Sequence, residues 1–102
     1  MKNLIILLIA TLGSCSSKPA PQTHTVEIKQ MAFVPAEMKI RKGDKVRFIN
    51  YDIVAHNITE EPSKAWSSSP LQTEQSWTVE PEVSANYYCS LHPVMKGRIV
   101  VE

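Results

Sequence analysis

Cys89, His92 and Met95 stand three residues apart in the stretch Tyr87 to Gly97 (YYCSLHPVMKG). A thiolate, an imidazole and a thioether form a soft donor set. Thiolate and thioether hold Cu(I), while a second imidazole keeps Cu(II) acceptable. Zinc has little use for a thioether, and structural zinc sites are built from four Cys or His ligands. Two histidines and a cysteine in a trigonal plane, with a weak axial methionine, make a blue-copper electron-transfer site. Taken singly, Cys89 reads as a small buried hydrophobe, Met95 as core filler and His92 as a loop residue. Their joint occurrence beside a strand end favours the metal. A Cys–His nucleophilic pair leaves Met95 unexplained and needs a substrate cleft for which so short a chain has little room.

The second imidazole has two candidates. His24 stands at the start of the first strand and is expected to be solvated. His56 lies in Asn50 to Thr59 (NYDIVAHNIT), where a strand ends and an irregular segment begins. A ligand at a strand end is placed by rigid scaffold, so His56 is the expected ligand.

The elements that must position these residues are short strands. Val26 and Ile28, Met38 and Ile40, Val46 and Phe48, Trp77 and Val79, and Tyr87 and Cys89 each alternate with their neighbours, and GRIVVE closes the chain. Pro35, Lys42-Gly43-Asp44, Pro62, Ser67 to Pro70, Pro81 and Pro93 supply turn signals between them. No window keeps helical spacing for three turns. The pattern predicts an all-β, antiparallel sandwich of about seven to eight strands over residues 23–102.

The 102 residues allow one core. Eleven basic against ten acidic side chains, a net charge of +1, exclude a strongly basic nucleic-acid binder and an acidic disordered tail. Lys39, Arg41, Lys45 and Arg47 alternate with apolar residues and so point outward, as a solvated face or a docking surface for an acidic partner or anionic headgroups. The start of the chain reads as an export signal. Met1-Lys2-Asn3 is positive, and Leu4 to Leu12 is a nine-residue apolar run, shorter than the roughly 17–25 residues of a membrane span. Leu12-Gly13-Ser14-Cys15 resembles the bacterial lipobox. That resemblance implies a signal peptide over 1–14 and acylation of Cys15, with ordinary cleavage as the competing reading. Residues 15–22 then form a tether, of which SSKPAPQ reaches at most about 23–25 Å.

The segment Cys89 to Glu102 (CSLHPVMKGRIVVE) resembles the carboxyl end of the amicyanins, a branch of the cupredoxins beside plastocyanin and pseudoazurin. The short Cys-x-x-His-x-x-Met loop carries the likeness, supported upstream by Val46 to Ile58 (VRFINYDIVAHNI) and the Lys42-Gly43-Asp44 turn. The resemblance implies a Greek-key sandwich holding one copper ion, Cu(II)/Cu(I), with His56, Cys89, His92 and Met95 as ligands. It also implies that Asn50 ties the two ligand segments together near Ser90. Leu91 and Ala55 stand where these relatives have proline. The N–H that Leu91 restores is expected to reach the Cys89 sulfur. His56 should be the buried imidazole and His92 the outer one, within an apolar docking patch of Leu91, Pro93 and Val94. The implied protein is a monomeric electron carrier rather than an enzyme. It is exported to the periplasmic or cell-surface side of a bacterial membrane, held there through its lipid, and serves redox partners of the dehydrogenase, cytochrome c or terminal oxidase type. A copper storage or delivery protein is the alternative, but after processing only Met31, Met38 and Met95 remain to it. The stretch between His56 and Cys89 is short for these relatives and contains the unusual Trp66-Ser67-Ser68-Ser69, to which the sequence assigns no role.

Overall fold

The computed structural model describes residues 19–102. The leader over 1–14, Cys15 and the first part of the tether lie outside the described residues. Those described form eight strands and no helix: β1 (Thr23–Lys29), β2 (Ala32–Val34), β3 (Glu37–Ile40), β4 (Lys45–Asn50), β5 (Thr59–Glu61), β6 (Ser76–Val79), β7 (Ala85–Cys89) and β8 (His92–Val101). They make two four-stranded sheets, β2-β1-β4-β6 and β3-β8-β7-β5.

The sandwich is as expected, but its sheets are mixed rather than purely antiparallel. β1 runs parallel to β4, and β3 runs parallel to β8. The cause is the crossing of β3 to the second sheet, after which β4 returns to the first in the direction of β1. Pro93, read as a turn signal, lies inside β8, because the hairpin reverses earlier, over Ser90 and Leu91, with Cys89 paired to His92.

Strand alternation sorts the side chains. In β4, Val46, Phe48 and Asn50 turn inward while Lys45 and Arg47 stay exposed. The inward sets of both sheets meet in a core of Val26, Ile28, Phe33, Ile40, Val46, Phe48, Ile58, Leu71, Tyr87, Cys89, Met95 and Ile99. Tyr87 is its hub, with ring centroids 4.9 Å from Phe33 and 5.2 Å from Phe48, both edge to face. The chain makes room for that ring at Gly97, its cross-strand partner in β8.

The unusual serine stretch proves structural. Trp66 packs beside Trp77 at 5.9 Å and Tyr87 at 6.4 Å. Ser67 and Thr59 share a hydroxyl–hydroxyl bond of 2.8 Å, and Ser68 Oγ accepts the Ile58 N–H at 3.0 Å. A short loop thus completes the edge beyond β5, through these side-chain bonds and through backbone bonds from Glu60 N–H to Trp66 O at 2.9 Å and from Ser68 N–H to Ile58 O at 2.8 Å.

His24 is not a free, solvated histidine. Its Nε2 lies 2.9 Å from Asp44 Oδ2, and Asp44 is buried. The same carboxylate accepts N–H groups from Gln22 at 2.9 Å and Arg41 at 3.2 Å. The Gln22 amide, then the His24 and Arg41 bonds, hold the Asp44 carboxyl down at about 2, against 3.8 ordinarily. A carboxyl depressed in the folded state stabilises fully above its unfolded pKa, and that stability is lost as pH falls through the folded one. Wild-type stability should therefore fall between about pH 4 and pH 2, and Asp44→Asn should show a shallower fall over that interval. Thermal melts across the acid range check this, and equal slopes would refute it.

Candidate metal centre

The site is built where β4 ends and β7 turns into β8. β7 delivers Cys89 fully buried, and the two-residue reversal brings His92 back across from it. His56 arrives from the irregular segment after β4, held by a backbone bridge to Leu71 with bonds of 3.2 and 2.7 Å. It is fully buried, and His92 is partly exposed. Met95 is buried in the same core cluster as Cys89.

Cys89 Sγ stands 3.6 Å from His56 Nδ1 and 3.8 Å from His92 Nδ1. One ligand atom from each of the three residues lies within 4.8 Å of the others. Two donors bonded to one ion at about 2.0–2.3 Å stand on the order of 3.5–4 Å apart. The spacing therefore suits a single ion, and a thiolate between two imidazoles suits copper.

The supporting bonds correct one expectation. Asn50 does not tie the ligand segments near Ser90. Buried at the end of β4, it gives its Nδ2 protons to Val54 O at 2.9 Å and Leu71 O at 2.8 Å, and its Oδ1 accepts the Asp52 N–H at 2.9 Å. It thereby shapes the loop that carries His56. The tie is Asn57, the residue after His56. Asn57 Nδ2 donates to Ser90 Oγ at 2.7 Å, and Ser90 N–H donates to Asn57 Oδ1 at 2.8 Å. Asn57 also supplies the backbone N–H that points at Cys89 Sγ, at 3.4 Å. Leu91 N–H is not among the sulfur's hydrogen-bond partners, because the tight reversal leaves the sulfur facing Asn57 and the two rings.

Asp52 is the residue that sequence reasoning missed. Its Oδ2 accepts His56 Nε2–H at 2.9 Å, which leaves Nδ1 free to face the sulfur and fixes the ring. The carboxylate also receives the Gln30 N–H at 2.7 Å and the Met31 N–H at 3.0 Å. These are the two turn residues between β1 and β2, both with positive φ, 53° and 60°. Burial raises the Asp52 pKa, but the Met31 amide, the His56 ring and the Gln30 amide together outweigh it, and the net shift is downward. The i, i+4 spacing of Asp52 and His56 was the available signal, though in an irregular segment such spacing fixes nothing.

Around this pole the surface is apolar. Leu91 is 47 % and Val94 89 % exposed, and Pro93 is exposed between them. The loop leading to His56 adds Tyr51, Ile53 at 92 % and Val54, an apolar contribution the sequence reading did not include.

A two-sheet all-β sandwich with a thiolate and two imidazoles converging at one end defines a small copper protein of the cupredoxin type. Residues 20–102 match the family model for copper binding proteins of the plastocyanin/azurin family, and the chain belongs to that family. It is amicyanin-like, and its cofactor is one copper ion. Amicyanin-alpha of Methylorubrum extorquens is 29 % identical over 94 % of this chain and 85 % of its own length. Amicyanin of Paracoccus versutus is 26 % identical over 76 % of this chain, which spans 63 % of that relative. A Cu(I) structure of an amicyanin variant superimposes with a TM-score of 0.72 at 27 % identity, covering 78 % of this chain and 82 % of that one. A purple cupredoxin from Nitrosopumilus maritimus gives 0.70 at 26 % identity, covering 78 % and 99 %.

Proposed function

We propose that this amicyanin-like blue-copper electron-transfer protein is tethered to the periplasmic or cell-surface side of a bacterial membrane through acylated Cys15. There it passes single electrons between extracytoplasmic redox proteins of the dehydrogenase, cytochrome c or terminal oxidase type, as a monomer. The observation that carries the reading is the buried Cys89 sulfur between His56 Nδ1 and His92 Nδ1, all within 4.8 Å. His56, Cys89, His92 and Met95 would hold the copper ion. Copper bound there supplies the one-electron Cu(II)/Cu(I) couple.

The chain's own residues supply the rest. Asp52 orients His56, and the Asn57–Ser90 pair clamps the His56 segment to the β7–β8 hairpin. Donors held this way move little between oxidation states. The Asn57 N–H withdraws charge from the sulfur and so favours the reduced state. Leu91, Pro93 and Val94, joined by Ile53 and Val54, form the apolar patch on which a partner docks briefly.

The visible spectrum of the copper-loaded protein tests the ligand set, since an intense band toward the red requires a thiolate–Cu(II) bond. Met95→Gln should keep the copper and lower the potential, because a harder donor favours Cu(II). Voltammetry reads this, and an unchanged potential would remove Met95 from the ligand set. The anchor is tested by the mass of the protein isolated from cells. It should begin at Cys15 and carry acyl chains, and an unmodified amino terminus would refute it.

A further inference from the structure

At the pole opposite the copper ligands, the turn between β3 and β4 carries a concentrated positive charge. β1 runs from Thr23 at this end to Lys29 beside the Asp52 clamp, seven residues or roughly 20 Å away. Here Arg41-Lys42-Gly43-Asp44 form a tight turn, closed by Asp44 N–H on Arg41 O at 3.0 Å, with Gly43 at φ 97°. A type II turn requires positive φ at its third position, and glycine adopts it without strain. Lys39, Arg41, Lys42 and Lys45 are all exposed around this turn. None of the four is ion-paired among the described residues. The acid in their midst, Asp44, is buried and occupied by the Gln22 and Arg41 amides and the His24 ring. Its neutralising charge is thus turned inward. Glu102 is an exposed acidic residue on the rim of the cleft that Lys39, Arg41 and Lys42 line with Pro19 to Gln22. Exposed Glu80 and Glu82 follow β6 at this end, Glu80 level with Lys45 because Val79 pairs with Val46, so the positive charge is concentrated on the turn itself, at Lys39, Arg41 and Lys42.

The chain reaches the domain at this same place. Gln22 is held at both backbone groups, its N–H by Asp44 Oδ1 and its carbonyl by Lys45 N–H at 2.9 Å. Pro19 stands four residues after Cys15, a span of at most about 14 Å.

We propose that this pole seats on the phosphate headgroups of an anionic bilayer. Lys39, Arg41 and Lys42 form the contact, which turns the copper pole toward the aqueous side. The choice of a membrane over an acidic protein rests on the lipid-anchor reading above, which brings the bilayer within reach of these three side chains. Each Lys or Arg near an anionic surface strengthens binding about fivefold, equivalent to about 1 kcal/mol, and the attraction is screened by salt.

Among the described residues every strand and the whole core lie within 23–102, so a chain begun at position 15 with Cys15→Ser keeps the domain and carries no acyl group. Its sedimentation with phosphatidylcholine vesicles, with and without phosphatidylglycerol, provides the test. Binding is expected to the anionic vesicles alone and to be abolished by high salt. Lys39→Gln/Arg41→Gln/Lys42→Gln should weaken it about a hundredfold while the copper spectrum stays intact. Equal binding to both vesicle types, or undiminished binding by the triple variant, would overturn the proposal. So would no vesicle binding together with saturable binding of polyglutamate, which would assign the face to an acidic protein. The assay uses no lipid anchor, so a wrong anchor, read from the mass of the native amino terminus, and a wrong seat show up separately.

Discussion

Cys89→Ser is expected to abolish the intense visible band and to weaken copper retention by more than about 100-fold, beyond the 10- to 100-fold cost of losing a supporting residue alone. The metal-free fold should survive. The serine hydroxyl takes nearly the same volume, and the Asn57 N–H and His56 Nδ1 already face that position at 3.4 and 3.6 Å. A buried hydroxyl that finds such partners avoids the penalty of about 1–3 kcal/mol for an unsatisfied group. Absorption and paramagnetic resonance spectra of the copper-loaded variant, with thermal melts of both metal-free proteins, separate the two effects. A variant that keeps the band would place the thiolate outside the coordination sphere. One that loses copper only because it no longer folds would fail the melt.

Gly97→Ala should be the most destabilising single change far from the metal. A methyl group on Gly97 would land inside the Tyr87 ring, meeting Cζ, the hydroxyl and Cε1. The ring cannot step aside, because Tyr87 is fully buried and packed edge to face against Phe33 and Phe48. Overpacking of this kind costs about 2–3 kcal/mol, on the order of 10–20 °C in melting temperature for a domain of this size. Tyr87→Leu removes the obstructing atoms at the cost of a cavity. In that background Gly97→Ala should cost far less, a non-additivity expected only of residues in contact. Additive costs would show that the glycine serves the backbone rather than the ring.

Tyr87 and Gly97 also mark the limit of what the sequence makes legible. Alternation along Val26 to Ile28, Val46 to Phe48 and Tyr87 to Cys89 correctly gives inward and outward faces, because side chains in a strand alternate whatever its neighbours do. Which strands are neighbours depends on where the chain crosses between sheets, and no residue near β3 signals that crossing. Hence the parallel pairs were not foreseen. β2 is three residues long and β5 carries Thr59-Glu60-Glu61, too short and too polar for a periodic signal.

The candidate donors stand out in the sequence because Cys89, His92 and Met95 crowd into seven residues whose types are rarely brought together otherwise. Their supports do not, for they are set by the conformation of irregular segments. Asn50 and Asn57 flank His56, and only the course of the loop decides which one meets Ser90. Asp52 is similarly inconspicuous, an acid in a loop until its three bonds are traced.

Those three bonds carry a further consequence. A two-residue hairpin turn with positive φ at both positions favours Asn-Gly, yet Gln30 and Met31 occupy it, at a conformational cost that a glycine would avoid. The Asp52 carboxylate offsets that cost by taking both turn amides, and with the same oxygens it steadies the His56 ring. A locally disfavoured turn and the aim of a buried imidazole therefore share one counterweight. Gln30→Asn/Met31→Gly would relieve the turn without touching the ligand residues, leaving Asp52 to serve the histidine alone. The hairpin should then become more stable while the potential barely moves, separating two duties that one carboxylate now performs together.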